Sequence, residues 1–313
     1  MQLEEARSTL AGAMISVATP TRPDHSLDLD AYQRNLEFML ARGVATGNGV
    51  LLVAAAGGEF PMLSVAERKQ LMTAAVKVVG ARAPVVASVQ STSTREAKEL
   101  AEHALRAGVA VGQLSSPWYY TPTQPDILQF FADVAEVGLP LMIYNNWWNT
   151  ANMSLETVTR LGEISGLVAL KWSAPTQGEY IEGFERLSDR FAIVDNQMQH
   201  VLATLLGTTG FITHVSNFWP EYPLRLWALM QARDLEGLHR ELAFKREWRR
   251  WIQRVTAYTE GEGPFIKAAM EEVGLASGDP VPPSKRVPEQ LRVPLREMLQ
   301  RYGVPRAEAV PLG

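Results

Sequence analysis

The sequence contains no cysteine, so disulfides, thiolate metal sites and a cysteine nucleophile are all excluded. Histidine is sparse. The five present (His25, His103, His200, His214 and His239) stand at no close ligand spacing such as His-Glu-x-x-His, so no metal site is expected. No apolar run approaches the ~18–20 residues of a membrane span. The opening Met1-Gln2-Leu3-Glu4-Glu5-Ala6-Arg7 is acidic and lacks the basic-then-apolar plan of a signal peptide. Charge of one sign is not in excess either. A net charge of −4 and a pI near 5.8 give no electrostatic reason to expect nucleic acid or an anionic membrane as a partner. A cytoplasmic enzyme or binding protein for small molecules is the simplest expectation.

What is present is an alternation. Short apolar or β-branched runs recur at Ala13–Thr19, Val50–Ala55, Pro84–Val89, Val109–Ser115, Leu139–Asn146, Leu167–Trp172, Phe191–Asp195 and Phe211–Ser216. Segments of helical periodicity lie between them, near Asp30–Ala41, Val65–Val79, Arg95–Arg106, Asp126–Val137, Leu155–Ile164, Gly178–Leu187 and Gln199–Leu206. Ser64-Val65-Ala66-Glu67 has the form of a capping box at a helix start. Near-continuous apolar strands followed by amphipathic helices indicate a parallel sheet covered by helices. Eight such units predict a closed (β/α)8 TIM barrel, an α/β fold, over residues 1–219. An open doubly wound sheet is the alternative, but no glycine-rich phosphate loop opens any of the helices. Residues 220–313 read as a helical extension with breaks at Glu260–Pro264 and Ala276–Pro288, ending in a loose tail from Val304.

Lys171 is the residue that points to chemistry. It lies in Leu167-Val168-Ala169-Leu170-Lys171-Trp172-Ser173, an apolar run with no obvious place for a charge. Burying an ammonium there costs several kcal/mol unless it is paired or sheds its proton. Burial can bring a lysine from its solution pKa of ~10.4 towards ~7–8, where the free amine is a nucleophile. The plain alternative is an edge-strand lysine that snorkels to water. The other six lysines (Lys69, Lys77, Lys98, Lys245, Lys267 and Lys285) sit in helix-like or loop-like contexts and are expected to be solvated. With a side-chain period of two, Ala169, Lys171 and Ser173 share one face, and the small neighbours leave room beside the amine. Tyr144 ends the fifth strand on the face of Met142 and Asn146. At ~4.8 Å between strands its hydroxyl can reach a substrate carried by the sixth. The combination predicts Schiff-base chemistry with a phenol as proton carrier.

Five segments, in order, then resemble the dihydrodipicolinate synthase/N-acetylneuraminate lyase family of pyruvate-dependent class I aldolases. They are Leu52–Ser64 with Gly57-Gly58-Glu59-Phe60-Pro61, Ser116-Pro117-Trp118-Tyr119-Tyr120-Thr121-Pro122-Thr123-Gln124, Tyr144-Asn145, Leu170-Lys171-Trp172-Ser173, and Gly207–Asn217 with Pro264–Ala269 and Val273-Gly274-Leu275. The resemblance implies that Lys171 forms an imine with a 2-keto acid. Tyr144 would relay protons, with Tyr119 assisting, in the family often from a neighbouring subunit. The amides of Ala56 and Gly57 would hold the keto-acid carboxylate, and Ile212 on the last strand would line the site. No cofactor is implied, because the iminium is itself the electron sink. A homo-oligomer, tetrameric as in the family, is the implied assembly.

Two departures narrow the expectation. Ala56 and Gly57 stand where the family has a hydroxyl pair, so the proton relay lacks a link that a water or Asn146 would have to supply. Asn146-Trp147-Trp148-Asn149 replaces a segment whose arginine normally grips the aldehyde's carboxylate, and Asn149 offers no charged bidentate contact. That argues against a typical dihydrodipicolinate synthase. One reading is an apolar or aromatic aldehyde met by Asn146, Trp148 and Asn149, with Phe218 and Trp219 as further candidates. Against it, Glu59-Phe60-Pro61 followed by Leu63 and Glu67-Arg68 resembles the 4-hydroxy-2-oxoglutarate aldolase branch. Clustered tryptophans are more often core or interface than ligand platform. A 2-keto-acid dehydratase or hydratase-aldolase using the same imine stays open, as does a keto-acid-binding member without turnover. His214 faces either the barrel or the helices. Asp195 and Asn196 stand at the end of a strand where substrate contacts arise.

Overall fold

The computed structural model describes residues 1–307; residues 308–313 of the expected tail lie outside the described residues. The eight strands are β1 (Gly12–Ser16), β2 (Gly49–Val53), β3 (Val85–Ser88), β4 (Val111–Ser115), β5 (Leu141–Tyr144), β6 (Leu167–Trp172), β7 (Ala192–Asp195) and β8 (Gly210–Thr213). They form a closed barrel in sequence order, with parallel pairing, as the alternation predicts. Every strand residue is buried, which is why these segments read as unbroken apolar runs rather than alternating ones.

The helices are α1 (Leu3–Thr9), α2 (Leu29–Ala41), α3 (Val65–Val79), α4 (Thr94–Ala107), α5 (Gln124–Ala135), α6 (Leu155–Leu161), α7 (Gln177–Leu187), α8 (His200–Leu206), α9 (Glu221–Gln231), α10 (Leu235–Thr256), α11 (Gly263–Val273) and α12 (Glu289–Arg301). Local chemistry sets their starts. Ser64 caps α3 by accepting from the Glu67 amide while the Glu67 carboxylate accepts from the Ser64 amide at 2.8 Å. Thr123 and Asp126 do the same for α5, and Ser154 and Thr176 cap α6 and α7. Among the described residues, no helix is long and apolar enough to cross a membrane.

Contacts group the chain into two units. One comprises Met1–Met14, Thr46–Leu51 and Pro84–Ile212; the other comprises Ile15–Ala45, Leu52–Ala83 and the chain from Thr213 onwards. The first holds β3 to β7 in consecutive pairing, with α1, which the sequence reading missed, packed against β6 and β7. The second is organised around an aromatic cluster. Trp219 stacks on Tyr222, Phe244 on Trp248, and Trp248 on Trp251, with Phe218 5.1 Å from Trp248. Phe218 and Trp219 are therefore core residues of this cluster, not ligand platforms. The tail expectation also fails at its start, where the Val304 and Ala307 amides donate to the Leu299 and Val273 carbonyls.

Candidate active site

Lys171 is buried, 5% exposed, at the C-terminal end of β6. The snorkelling alternative is thereby excluded. Its register partners are Tyr144 on β5 and Val194 on β7. The Nζ lies 3.9 Å from the centroid of the Tyr144 ring, over its negative face, and donates a hydrogen bond of 3.2 Å to Gln113 Oε1 on β4. When the nitrogen is protonated, a desolvated cation–π contact of this kind contributes about 2 kcal/mol. Tyr144 is itself buried, so the amine and the phenol share one protected interior.

Gln113 heads a polar chain that no sequence pattern revealed. Its Nε2 donates to Gln90 Oε1 at 2.7 Å, and Ser88 Oγ donates to the same oxygen at 3.1 Å. Gln90 Nε2 donates to Ser115 Oγ at 2.8 Å, and Ser115 Oγ donates to the Ser116 carbonyl at 3.2 Å. All five residues are buried. Ser88 and Gln113 are register partners, so the chain joins the neighbouring strands β3 and β4, and Ser115 stands in register with Tyr144 on β5.

Asn145 stitches this region together. Its side chain donates to the Ser173 and Asn152 side of the site and accepts from the Met153 amide, while Ser173 Oγ donates to the Asn145 carbonyl at 2.5 Å. The loop after β5 is thus tied to the end of β6. Asp195 pairs in register with Trp172 and points away from the lysine's face. It accepts from Tyr180 Oη at 2.9 Å and from the Gln197 amide, and lies 3.4 Å from His200 Nδ1. Burial and the Asp195 carboxylate together push the Tyr180 phenol well above its ordinary pKa. Asp195 is a buried brace, which corrects its placement as a substrate contact.

The loop after β2 belongs to the other unit. Ala56–Gly58 forms a single 3-10 turn, and the Gly57 amide donates to Ser16 Oγ at 2.9 Å. A Cβ at Gly57 would stand 2.6 Å from Ser16 Oγ and 2.9 Å from the Ser16 carbonyl, so this turn has room for glycine only. Glu59 follows at φ 59 and forms a buried pair with Lys267, 2.6 Å apart. Val281 N–H donates to the other Glu59 oxygen, and Lys267 also donates to the Asp279 carbonyl. Desolvation pulls the Lys267 ammonium below its ordinary pKa, with Glu59 opposing. Lys267 and Lys245 are both buried, contrary to the expectation that every lysine but Lys171 is solvated.

The family model described as the dihydrodipicolinate synthetase family matches residues 9–302. The chain belongs to that family. It is 32% identical over 286 residues to a 4-hydroxy-tetrahydrodipicolinate synthase of Thiobacillus denitrificans, covering 90% of this chain and 91% of that protein. It is 31% identical over 307 residues to one of Azoarcus sp. strain BH72, covering 94% of each. Among solved structures it is similar to the chloride-inhibited dihydrodipicolinate synthase of Acinetobacter baumannii complexed with pyruvate. There the TM-score is 0.85 and the identity 26%, covering 95% of this chain and all of that one.

The remaining expected site residues of this dihydrodipicolinate synthetase family member differ in exposure. Tyr119 is 88% exposed at φ 84, its ring against Tyr120 at 5.0 Å, and it makes no approach to the lysine of its own chain. Asn146 is buried and its side-chain oxygen has no hydrogen-bond partner among the described residues, so the acceptor that Tyr144 would need from it is not engaged. Its carbonyl instead accepts from the Asn149 and Thr150 amides, closing a turn that carries Trp147 and Trp148 edge to face at 5.5 Å. Trp148 is 45% exposed; the Trp147 Nε1 is buried without a hydrogen-bond partner among the described residues. Ile212 lies on β8 and is buried. His214 turns to the helices, 3.0 Å from Glu262 and edge to face with Phe265.

Proposed function

We propose that this protein is a class I carbon–carbon lyase in which Lys171 condenses with pyruvate or another 2-keto acid. The observation that carries the reading is a buried amine held over the Tyr144 ring at the C-terminal end of a barrel strand, where this fold keeps its chemistry. The neutral amine attacks the keto carbon, and the carbonyl electron pair passes to oxygen. Two proton transfers, for which Tyr144 is the nearest phenol, release that oxygen as water and leave the iminium. The iminium draws electrons from C3, so an enamine can attack an aldehyde, or a retro-aldol cleavage can release one. A family neighbour crystallised with pyruvate supports the keto-acid assignment.

The carboxylate role of Ala56 and Gly57 comes from the resemblance; with Gly57 N–H donating to Ser16, the serine hydroxyl must turn for that amide to take a ligand. Neutral Asn149 and the half-exposed Trp148 support an aldehyde without a carboxylate, apolar or aromatic, rather than the aldehyde of lysine biosynthesis. The assembly is a homo-oligomer, tetrameric as in the family, with Tyr119 serving a neighbouring copy. The missing hydroxyl at Ala56 favours one second reading, a keto-acid binder that forms the imine without turnover.

Intact-mass spectrometry after pyruvate and borohydride tests the proposal. The wild type is expected to gain one reduced pyruvyl group and Lys171→Ala none. A wild type that gains nothing with pyruvate or other small 2-keto acids overturns it. Release of an aldehyde from aryl-substituted keto-acid adducts then separates the lyase from the binder.

A further inference from the structure

We infer that Gln113 is a positioning residue whose amide oxygen holds the Lys171 nitrogen in its protonated, imine-bearing state, and that Gln90 locks that amide in place. The inference rests on the imine proposed above. β4 and β6 flank β5, so Gln113 and Lys171 start about 10 Å apart across the strand between them. Side chains from alternate strands of a barrel share interior layers, and these two are long enough to meet at 3.2 Å.

The chain of amides runs one way in the structure. Gln113 Nε2 is taken by Gln90 Oε1, Gln90 Nε2 is taken by Ser115 Oγ, and Ser88 Oγ supplies a second donor to Gln90 Oε1. Reversing Gln113 alone would set its oxygen against Gln90 Oε1 and, where the lysine nitrogen is protonated, its NH2 against an N–H donor. With Gln90 holding the amide in this orientation, the carbonyl faces the lysine. A carbonyl oxygen only accepts, so it demands a hydrogen on Nζ. The amine, the ammonium, the carbinolamine and the iminium all offer one; a neutral imine offers none and presents a lone pair to a lone pair. Gln113 thus favours the iminium over the neutral imine. Gln90 Oε1, by accepting from Gln113 Nε2, and Ser115 Oγ, by accepting from Gln90 Nε2, polarise the Gln113 oxygen further. The amide carries no charge, so it gives this bias without making the free lysine a permanent salt bridge that could not attack a carbonyl.

The test follows cyanoborohydride trapping, which reduces iminium and not neutral imine, across pH with the imine preformed under saturating pyruvate. Lys171→Ala serves as the blank. Gln113→Leu is expected to bring the alkaline fall of the trapping rate to lower pH, so that trapping at the alkaline end drops about tenfold. Gln113→Glu, of nearly the same volume, is expected to move the fall to higher pH. Gln90→Leu, which frees the Gln113 amide to rotate, is expected to shift in the direction of Gln113→Leu by less. A merely structural role changes melting temperature and adduct yield but not the sign reversal between leucine and glutamate. Adducts in every variant with superposed alkaline limbs overturn the role of Gln113 and leave the imine standing. No adduct in the wild type overturns the imine and this inference with it. Should Gln113→Leu not fold, the direction of the Gln113→Glu shift decides alone.

Discussion

Two buried lysines, Lys171 and Lys267, meet opposite fates because of what faces them. Lys171 faces the neutral amide oxygen of Gln113 and the ring of Tyr144. Lys267 has the full charge of Glu59 at 2.6 Å and a backbone carbonyl, which make it a clasp between the loop after β2 and α11. Removing one member of such a pair strands a buried charge at a cost of roughly 3–5 kcal/mol. Glu59→Ala is accordingly expected to lose that much in urea unfolding, whereas the double replacement Glu59→Met with Lys267→Met recovers a large part of it. A single mutant as stable as the wild type would show the pair to be unimportant. Lys171 was legible in the sequence because a strand buried on both faces tolerates no ordinary charge. Lys267 was not, although Pro264-Phe265-Ile266 and Ala268-Ala269 flank it. A helical reading assumes a solvent face, and α11 has none from Gly263 to Met270.

Elements were easier to read than their contacts. Strands surrounded by apolar neighbours declare themselves, and caps such as Ser64 mark helix starts chemically. The short, charge-rich α1 was hidden because its stability comes from β6 and β7 rather than from its own periodicity. Gln90 and Gln113 were hidden for another reason: their meeting is a matter of register between β3 and β4, which no single strand records. The packing of α7 on β6 is a further contact of this kind. A Cβ at Gly183 would lie 2.4 Å from the Trp172 indole, and that indole donates to the Tyr180 carbonyl on the same helix. Gly183→Ala is expected to cost about 1–3 kcal/mol in a thermal melt, despite alanine's better helix propensity. Pairing it with Trp172→Phe should restore part of the loss. A melt unchanged by Gly183→Ala would mean that the helix simply slides outward.

For the molecule as a whole, the exposed aromatics of the loop after β4 carry the expectation of assembly. Tyr119 and Tyr120 are 88% and 82% exposed, an unusual presentation for rings that sit edge to face beside Pro117 and Pro122. Tyr119→Ser with Tyr120→Ser is expected to move the sedimentation profile towards smaller species and to slow turnover. A profile unchanged in both size and concentration dependence would remove these rings from any interface. The amide chain inside β3 to β6 has one more consequence, which concerns how the protein is made. Synthesis runs from Gln90 to Gln113 to Tyr144 before it reaches Lys171. The acceptors therefore leave the ribosome ahead of the ammonium they will receive. The growing chain is never asked to bury that charge before its reception is complete.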